Sequence, residues 1–260
     1  MNKDCIDLVI RWIHLLAGVV WIGHLYFFNF VNANVAPKLD AETKKKVVPE
    51  LMPRALFWFR WGAAWTWVSG VLLLFLLYYH GPNLLDDLAG GAKATFGEWG
   101  GGFALILFGF FLYDTLFKAL AKQHNVAVLA WGIGAVAFAL LCKDVLHYSN
   151  RAIYIHQGAL FGTTMFMNVW MRIWPAQRRI ITATKNGQAP DPADPALAGL
   201  RSKHNTYMSV PMLLYMLLGA HSPLLGTEVD RYYVVIPLVL IVSFGATWAL
   251  YGKAKKVPGF

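Results

Sequence analysis

Residues 6–32, IDLVIRWIHLLAGVVWIGHLYFFNFVN, form an apolar run long enough to cross a bilayer, and His14 and His24 lie inside it. A spanning helix needs roughly 20 apolar residues. An imidazole in hydrocarbon is costly without a partner, so an intramembrane histidine marks a candidate functional site. At ~1.5 Å rise per residue, the two rings stand ~15 Å apart along the helix. They therefore mark two depths, not one site. At ~100° per residue they are ~80° apart around the axis, near enough to face one bundle interior.

The rest of the chain is of the same kind. It is 57% hydrophobic and only 14% charged, where a soluble domain is about a quarter charged. Aromatics reach 15%, with eleven tryptophans, which suits interfacial belts and flat ligands alike. A net charge of +9 would fit nucleic acid, but the cations sit beside apolar runs and indicate membrane lipid instead. Cys5 and Cys142 make neither a disulfide framework nor a C-x-x-C pair. The first run is too long for a removable signal peptide and lacks a small-residue cleavage site.

Long apolar runs broken by polar loops predict an all-α integral membrane bundle of about seven transmembrane helices in a single domain, 1–260. The predicted spans are 6–32, 55–80, 101–121, 126–147, 152–174, 204–221 and 232–251. Lys38, Lys44, Lys45, Lys46 and Arg54 fill the first loop. Lys118 and Lys122 flank the third, Arg172, Arg178, Arg179, Lys185, Arg201 and Lys203 crowd the fifth, and Lys253, Lys255 and Lys256 lie in the tail. The positive-inside rule then places the N-terminus outside and the C-terminus inside. Residues 176–203, containing QAPDPADPALAG, read as a cytoplasmic linker that does not fold alone. The Gly-rich stretch 81–102 reads as an outer loop, a lid or a partner contact.

This topology sorts the eight histidines into layers. His14 and His156 lie within spans on the outer side, and His80, His147 and His221 end helices at the outer face. His24, His124 and His204 belong to the inner side. Histidines from different helices at one depth are what six-coordinate b-type haem requires. For His80, His124 and His147 a helix end beside water is sufficient reason. For His14, His24 and His156 the competing reading is a hydrogen-bonded packing residue. Gly18, Gly23, Gly158 and Gly162 lie near these histidines and would let a flat macrocycle approach, although glycine is common at any membrane helix crossing.

Arg60, in FWFRWGAAWTW, suits a haem propionate or a carboxylate-like substrate, or else snorkels to headgroups. Asp7 with Arg11 and Asp114 with Lys118 are spaced for pairs on one helix face, and Lys143 and Asp144 for pairs with other helices. The histidines are too dispersed for a tetrahedral zinc site. The chain lacks G-x-G-x-x-G, a P-loop, G-x-S-x-G and H-E-x-x-H.

Four segments carry a resemblance: RWIHLLAGVVWIGHLYFFNFVN, FWFRWGAAWTWVSG, HQGALFGTTMFMNVWMRIWPAQR and KHNTYMSVPMLLYMLLGAHSP. Together they resemble, in order, the membrane domain of the bacterial cytochrome c-type urate oxidases. The resemblance implies a multi-pass protein of the bacterial inner membrane, linked to oxidation of urate or a similar small substrate. His14, His24, His156, His204 and His221 match the family's histidine positions, with Arg60 and Asn205 inside matching segments. Relatives pass electrons to a C-terminal cytochrome c domain. This sequence, read to Phe260, contains no C-x-x-C-H, so the expected acceptor is a separate cytochrome c or respiratory oxidase.

The resulting expectation is a membrane oxidoreductase with one or two haem b groups. An outer haem would be held by His14 with His156 or His221, and an inner centre would lie near His24 and His204. The alternatives are a non-catalytic electron-transfer or accessory subunit of a respiratory complex, and a haem-free transporter or scaffold.

Overall fold

The computed structural model describes residues 2–85, 94–221 and 232–258, with the side chain of His221 outside that description. The described residues are helical apart from turns and one isolated bridge, Leu85 with Tyr148. In chain order the helices are α1 (Lys3–Tyr26), α2 (Ala33–Val35), α3 (Ala41–Leu74), α4 (Phe96–Ala119), α5 (His124–Leu140), α6 (Asn150–Asn168), α7 (Trp174–Lys185), α8 (Ala193–His221) and α9 (Tyr232–Ala254). Four π-helical segments interrupt or extend them: π1 (Phe27–Asn32), π2 (Phe75–Tyr79), π3 (Leu141–Val145) and π4 (Val169–Ile173). Such wide turns re-aim side chains and gather at functional sites.

Among the described residues, five tracts are long and apolar enough to cross a membrane: Lys3–Lys38, Ala41–Tyr79, Phe96–Ala119, His124–Val145 and Tyr232–Ala254. The other two predicted spans, 152–174 and 204–221, are helical but more polar. α6 carries His156, Gln157, Thr163, Thr164 and Asn168, and α8 carries Arg201, His204, Asn205, Thr206 and Ser209, all buried. A helix shielded from lipid by its neighbours can afford such groups, because they find partners inside the protein. Hydropathy thus picks out the lipid-facing helices and understates the enclosed ones.

Several helices exceed their predicted bounds. α3 begins at Ala41, where the sequence suggested loop. The Asp40 carboxylate accepts from the Thr43 backbone N–H at 2.9 Å and its hydroxyl at 2.7 Å, capping the helix and holding the Asp40 carboxyl below its ordinary range. α4 begins at Phe96 on a Thr95/Glu98 capping box, so the end of the supposed outer loop is helix; residues 86–93 lie outside the described residues.

Most of the predicted linker, 176–203, is helical within the fold. α7 runs to Lys185 and α8 starts at Ala193, leaving 186–192 between them. Gly187 has φ +72°, a left-handed conformation that glycine adopts without steric cost. Arg179 Nε donates to both Asp194 carboxylate oxygens at 3.0 Å, bracing the turn. The proline-rich composition therefore marks a short corner between helices.

The chain forms two compact units. The first comprises Met1–Ser69, Met165–Ser209 and Phe244–Phe260, and the second Gly70–Thr164 and Val210–Ser243. In the first, α1 crosses α3 at Gly62, where a Cβ would come within 3.0 Å of Trp21 N and 3.3 Å of the Ala17 carbonyl. Trp21, Leu25, Phe59 and Ala63 fill the crossing, with Phe28 edge-on to Phe59. In the second, Tyr113 meets Trp131 edge-on at 5.2 Å. Gln157 Nε2 donates to the Ala135 carbonyl at 3.0 Å, and Tyr215 donates to the Ile236 carbonyl at 2.9 Å. The helix-internal pairs expected at Asp7–Arg11 and Asp114–Lys118 form at 2.9 and 2.7 Å.

Two outcomes follow from this packing. Gly62→Leu overpacks the α1–α3 crossing and should cost about 1–3 kcal/mol in detergent unfolding, whereas Gly23→Ala, with nothing within 4 Å of the added carbon, should be tolerated; equal effects would contradict the crossing. Arg179 holds the Asp194 carboxyl below its ordinary range by hydrogen bonding. The clamp's contribution is therefore complete above the usual aspartate range, about pH 4, and lost as pH falls through the lowered value. Protection of the amides over 186–192, corrected for the intrinsic pH dependence of exchange, should fall at acid pH in the wild type and be low and pH-insensitive in Asp194→Asn.

Candidate functional site

The α1 histidines are held by their Nδ1 atoms. His14 Nδ1 lies 2.9 Å from the Thr66 carbonyl and 3.1 Å from Ser69 Oγ. A carbonyl can only accept, so Nδ1 carries the proton. Ser69 donates its own proton to the Trp65 carbonyl at 2.6 Å, leaving a lone pair for His14. The TWVSG segment makes this cradle because Thr66 and Ser69, three apart, share the face of α3 toward α1. His24 Nδ1 donates to the Val20 carbonyl one turn back, at 2.7 Å. In both rings Nε2 is the lone-pair nitrogen, and it makes no hydrogen bond among the described residues. A metal-ligating histidine has this arrangement, its other ring N–H fixed on a carbonyl.

His156 differs. It is fully buried in the second unit, with Nδ1–H on the Ala152 carbonyl at 2.7 Å. Its Nε2 accepts from the Tyr79 hydroxyl at 3.0 Å. Tyr148 packs on the ring at 4.6 Å between centroids, and Tyr78 approaches edge-on. Both nitrogens are thus engaged. The tyrosines come from π2 and from the corner after π3, where His147 has φ 55°, a strained conformation outside glycine. Sequence reasoning missed these partners; the YYH at the end of a span was their only trace.

His204 is buried on α8 beside Asn205, in the first unit with His14 and His24. Asn205 Nδ2 donates to the Met165 carbonyl at 3.0 Å, and its Oδ1 accepts from Asn168 Nδ2 at 2.9 Å. His221 ends α8, and its side chain lies outside the described residues. His80, His124 and His147 are exposed, as their places at helix ends suggested.

The glycines divide similarly. Gly23, beside His24, has open space around it. Near His156, carbons added at Gly158 and Gly162 would meet Met216 at 3.0 Å and Met212 at 3.5 Å, so methionine side chains fill the room expected there for a macrocycle.

Arg60 lies against three rings. Its guanidinium carbon is 3.8 Å from the Trp174 ring centroid and 5.9 Å from those of Trp170 and Phe57. Trp170 Nε1 donates to the Arg60 carbonyl at 3.2 Å, tying π4 to α3. The tryptophans were not anticipated, although their four-residue spacing in VWMRIW puts them on one face.

A family model described as urate oxidase N-terminal matches residues 38–256. The chain belongs to that family. No curated protein and no solved structure matches it. Arg60, His156, His204, Asn205 and His221 fall inside the family region, whereas His14 and His24 precede it, so the case for α1 rests on its geometry.

The hydrogen bonds set an order of sensitivity. His156→Ala empties a sealed site and orphans Tyr79, and should cost about 2–4 kcal/mol. Tyr79→Phe should cost about 1 kcal/mol, and His14→Ala, at a part-buried ring, less than His156→Ala. Thermal unfolding in detergent checks this ranking; His14→Ala as damaging as His156→Ala would contradict it.

Proposed function

We propose that this urate oxidase-family membrane protein is a haem b oxidoreductase that passes electrons to a separate cytochrome c or respiratory oxidase at the bacterial inner membrane. The observation that supports it is the pair of α1 histidines, each with Nδ1–H fixed on a carbonyl and Nε2 without a protein partner. Bound haem would supply one-electron chemistry, with its potential set by axial ligands, neighbouring hydrogen bonds and burial.

The chain's own part is to prepare the ligands. The Thr66 carbonyl and Ser69 hydroxyl hold the His14 proton on Nδ1, which fixes the ring and makes Nε2 the more basic donor. The Val20 carbonyl does this for His24. With ~15 Å between them along α1, they suit two centres at two depths. His204 is the buried candidate for the inner centre within the same unit. His156, saturated by Ala152 and Tyr79, is better read as a packing hub of the second unit. Urate, or a similar small molecule, is the proposed reductant by family membership.

A reduced-minus-oxidised spectrum of the purified protein should show a b-type band, and a pyridine haemochrome assay should count one or two haems. His14→Ala and His24→Ala should each lower that count, whereas His156→Ala, where it folds, should not. Reduction of the band by urate supports the oxidoreductase. Reduction only by a respiratory partner indicates the electron-transfer subunit, and no haem band the haem-free scaffold.

A further inference from the structure

Arg60 is a cation whose surroundings leave its charge unanswered. Nε and Nη1 are sealed from solvent without a hydrogen-bond acceptor, and Nη2 likewise bonds to nothing among the described residues but is not sealed. No carboxylate among the described residues pairs with it, whereas nearby Arg54 has Glu50 at 2.6 Å. Trp174, Trp170 and Phe57 supply π faces. Such faces attract a guanidinium, but they do not neutralise it. Nε and Nη1 are thus enclosed, and Nη2 is left as the accessible donor.

The neighbours indicate which anion would meet that donor. Phe57, Trp58 and Trp61 are exposed by 45, 57 and 42%, so this stretch of α3 lies on the outside of the bundle. Arg60 also stands a few turns from Lys44, Lys45 and Lys46, at the end of the span where basic residues meet headgroups. Tryptophan and arginine together at that level suit the boundary between acyl chain and phosphate, and basic sites at helix junctions there take anionic headgroups.

We infer that Arg60, clasped by Trp174, Trp170 and Phe57, is a binding site for the phosphate of an anionic phospholipid. A lipid phosphate accepts from Nη2 while its acyl chains lie along Phe57 and Trp61. The contact also ties α3 to π4 and α7 through one ligand. The proposal assigns Arg60 to lipid in place of the haem propionate or carboxylate-like substrate that the sequence also offered, and it leaves the histidine ligands of the haem reading untouched.

The test is native mass spectrometry and thermal unfolding of the whole protein in phosphatidylcholine nanodiscs with and without phosphatidylglycerol. Phosphatidylcholine offers the same phosphate but offsets its charge with choline, so the wild type should retain phosphatidylglycerol about five-fold better, as expected for one cation meeting an anionic headgroup, and unfold at higher temperature with it. Arg60→Gln should abolish that preference, Trp174→Leu should weaken it, and Arg60→Lys should keep part of it as a point charge. Far-UV circular dichroism confirms that each variant is folded. An unchanged preference in folded Arg60→Gln overturns the proposal. So does equal protection by inorganic phosphate in phosphatidylcholine, which would indicate a soluble-anion site. Loss of haem from Arg60→Gln with lipid retention intact would assign the guanidinium to a haem carboxylate instead, and also overturns it.

Discussion

The hydrogen bond from His14 Nδ1 to the Thr66 carbonyl is where packing and chemistry coincide. Inside a membrane, a ring nitrogen that keeps its proton must deliver it to an acceptor on the protein. The Thr66 carbonyl accepts it, and by doing so anchors the otherwise lipid-facing α1 to α3 alongside the Gly62 crossing. The same bond decides the tautomer, and hence that Nε2 is the nitrogen able to donate to a metal. His24 reaches the same state through its own helix. Helix α1 therefore presents two lone pairs at two depths without spending a carboxylate on either.

The second unit uses its buried histidine differently. His156 is closed on both sides, by Ala152 and by Tyr79, and the glycines that follow it are filled by methionine. Two histidines with Nε2 unbonded and one saturated are chemically distinct populations, although all three look alike as apolar-flanked letters. Membership of the urate oxidase N-terminal family covers the saturated histidine and not the two on α1. The local hydrogen bonds therefore carry more of the functional argument than family position does.

Much of the fold was legible because apolar length is a strong signal: the seven predicted spans all fall on helices, and five meet the demands of a membrane crossing. The errors have one cause, that hydropathy reports contact with lipid and is silent about helix in water. It lost Ala41–Arg54, which is capped by Asp40 and rich in lysine, and it mistook Ala193–Lys203 for linker. At the site, the histidines and Arg60 could be named from the sequence because such residues are conspicuous in apolar runs. Their partners could not. Thr66 acts through its carbonyl, which every residue has, and Tyr79 and Trp174 depend on π-helical turns that a 3.6-residue period does not foresee.

The most direct test of the account is nitrogen NMR of ring-labelled histidine in the purified protein, with His14→Ala and His24→Ala used to assign the two signals. The account predicts that both residues show a protonated Nδ1 and an unprotonated Nε2, and that haem perturbs Nε2 the more strongly. Protonated Nε2 on either residue, or signals that haem leaves unmoved, would contradict the claim that α1 is built to present two metal-binding nitrogens.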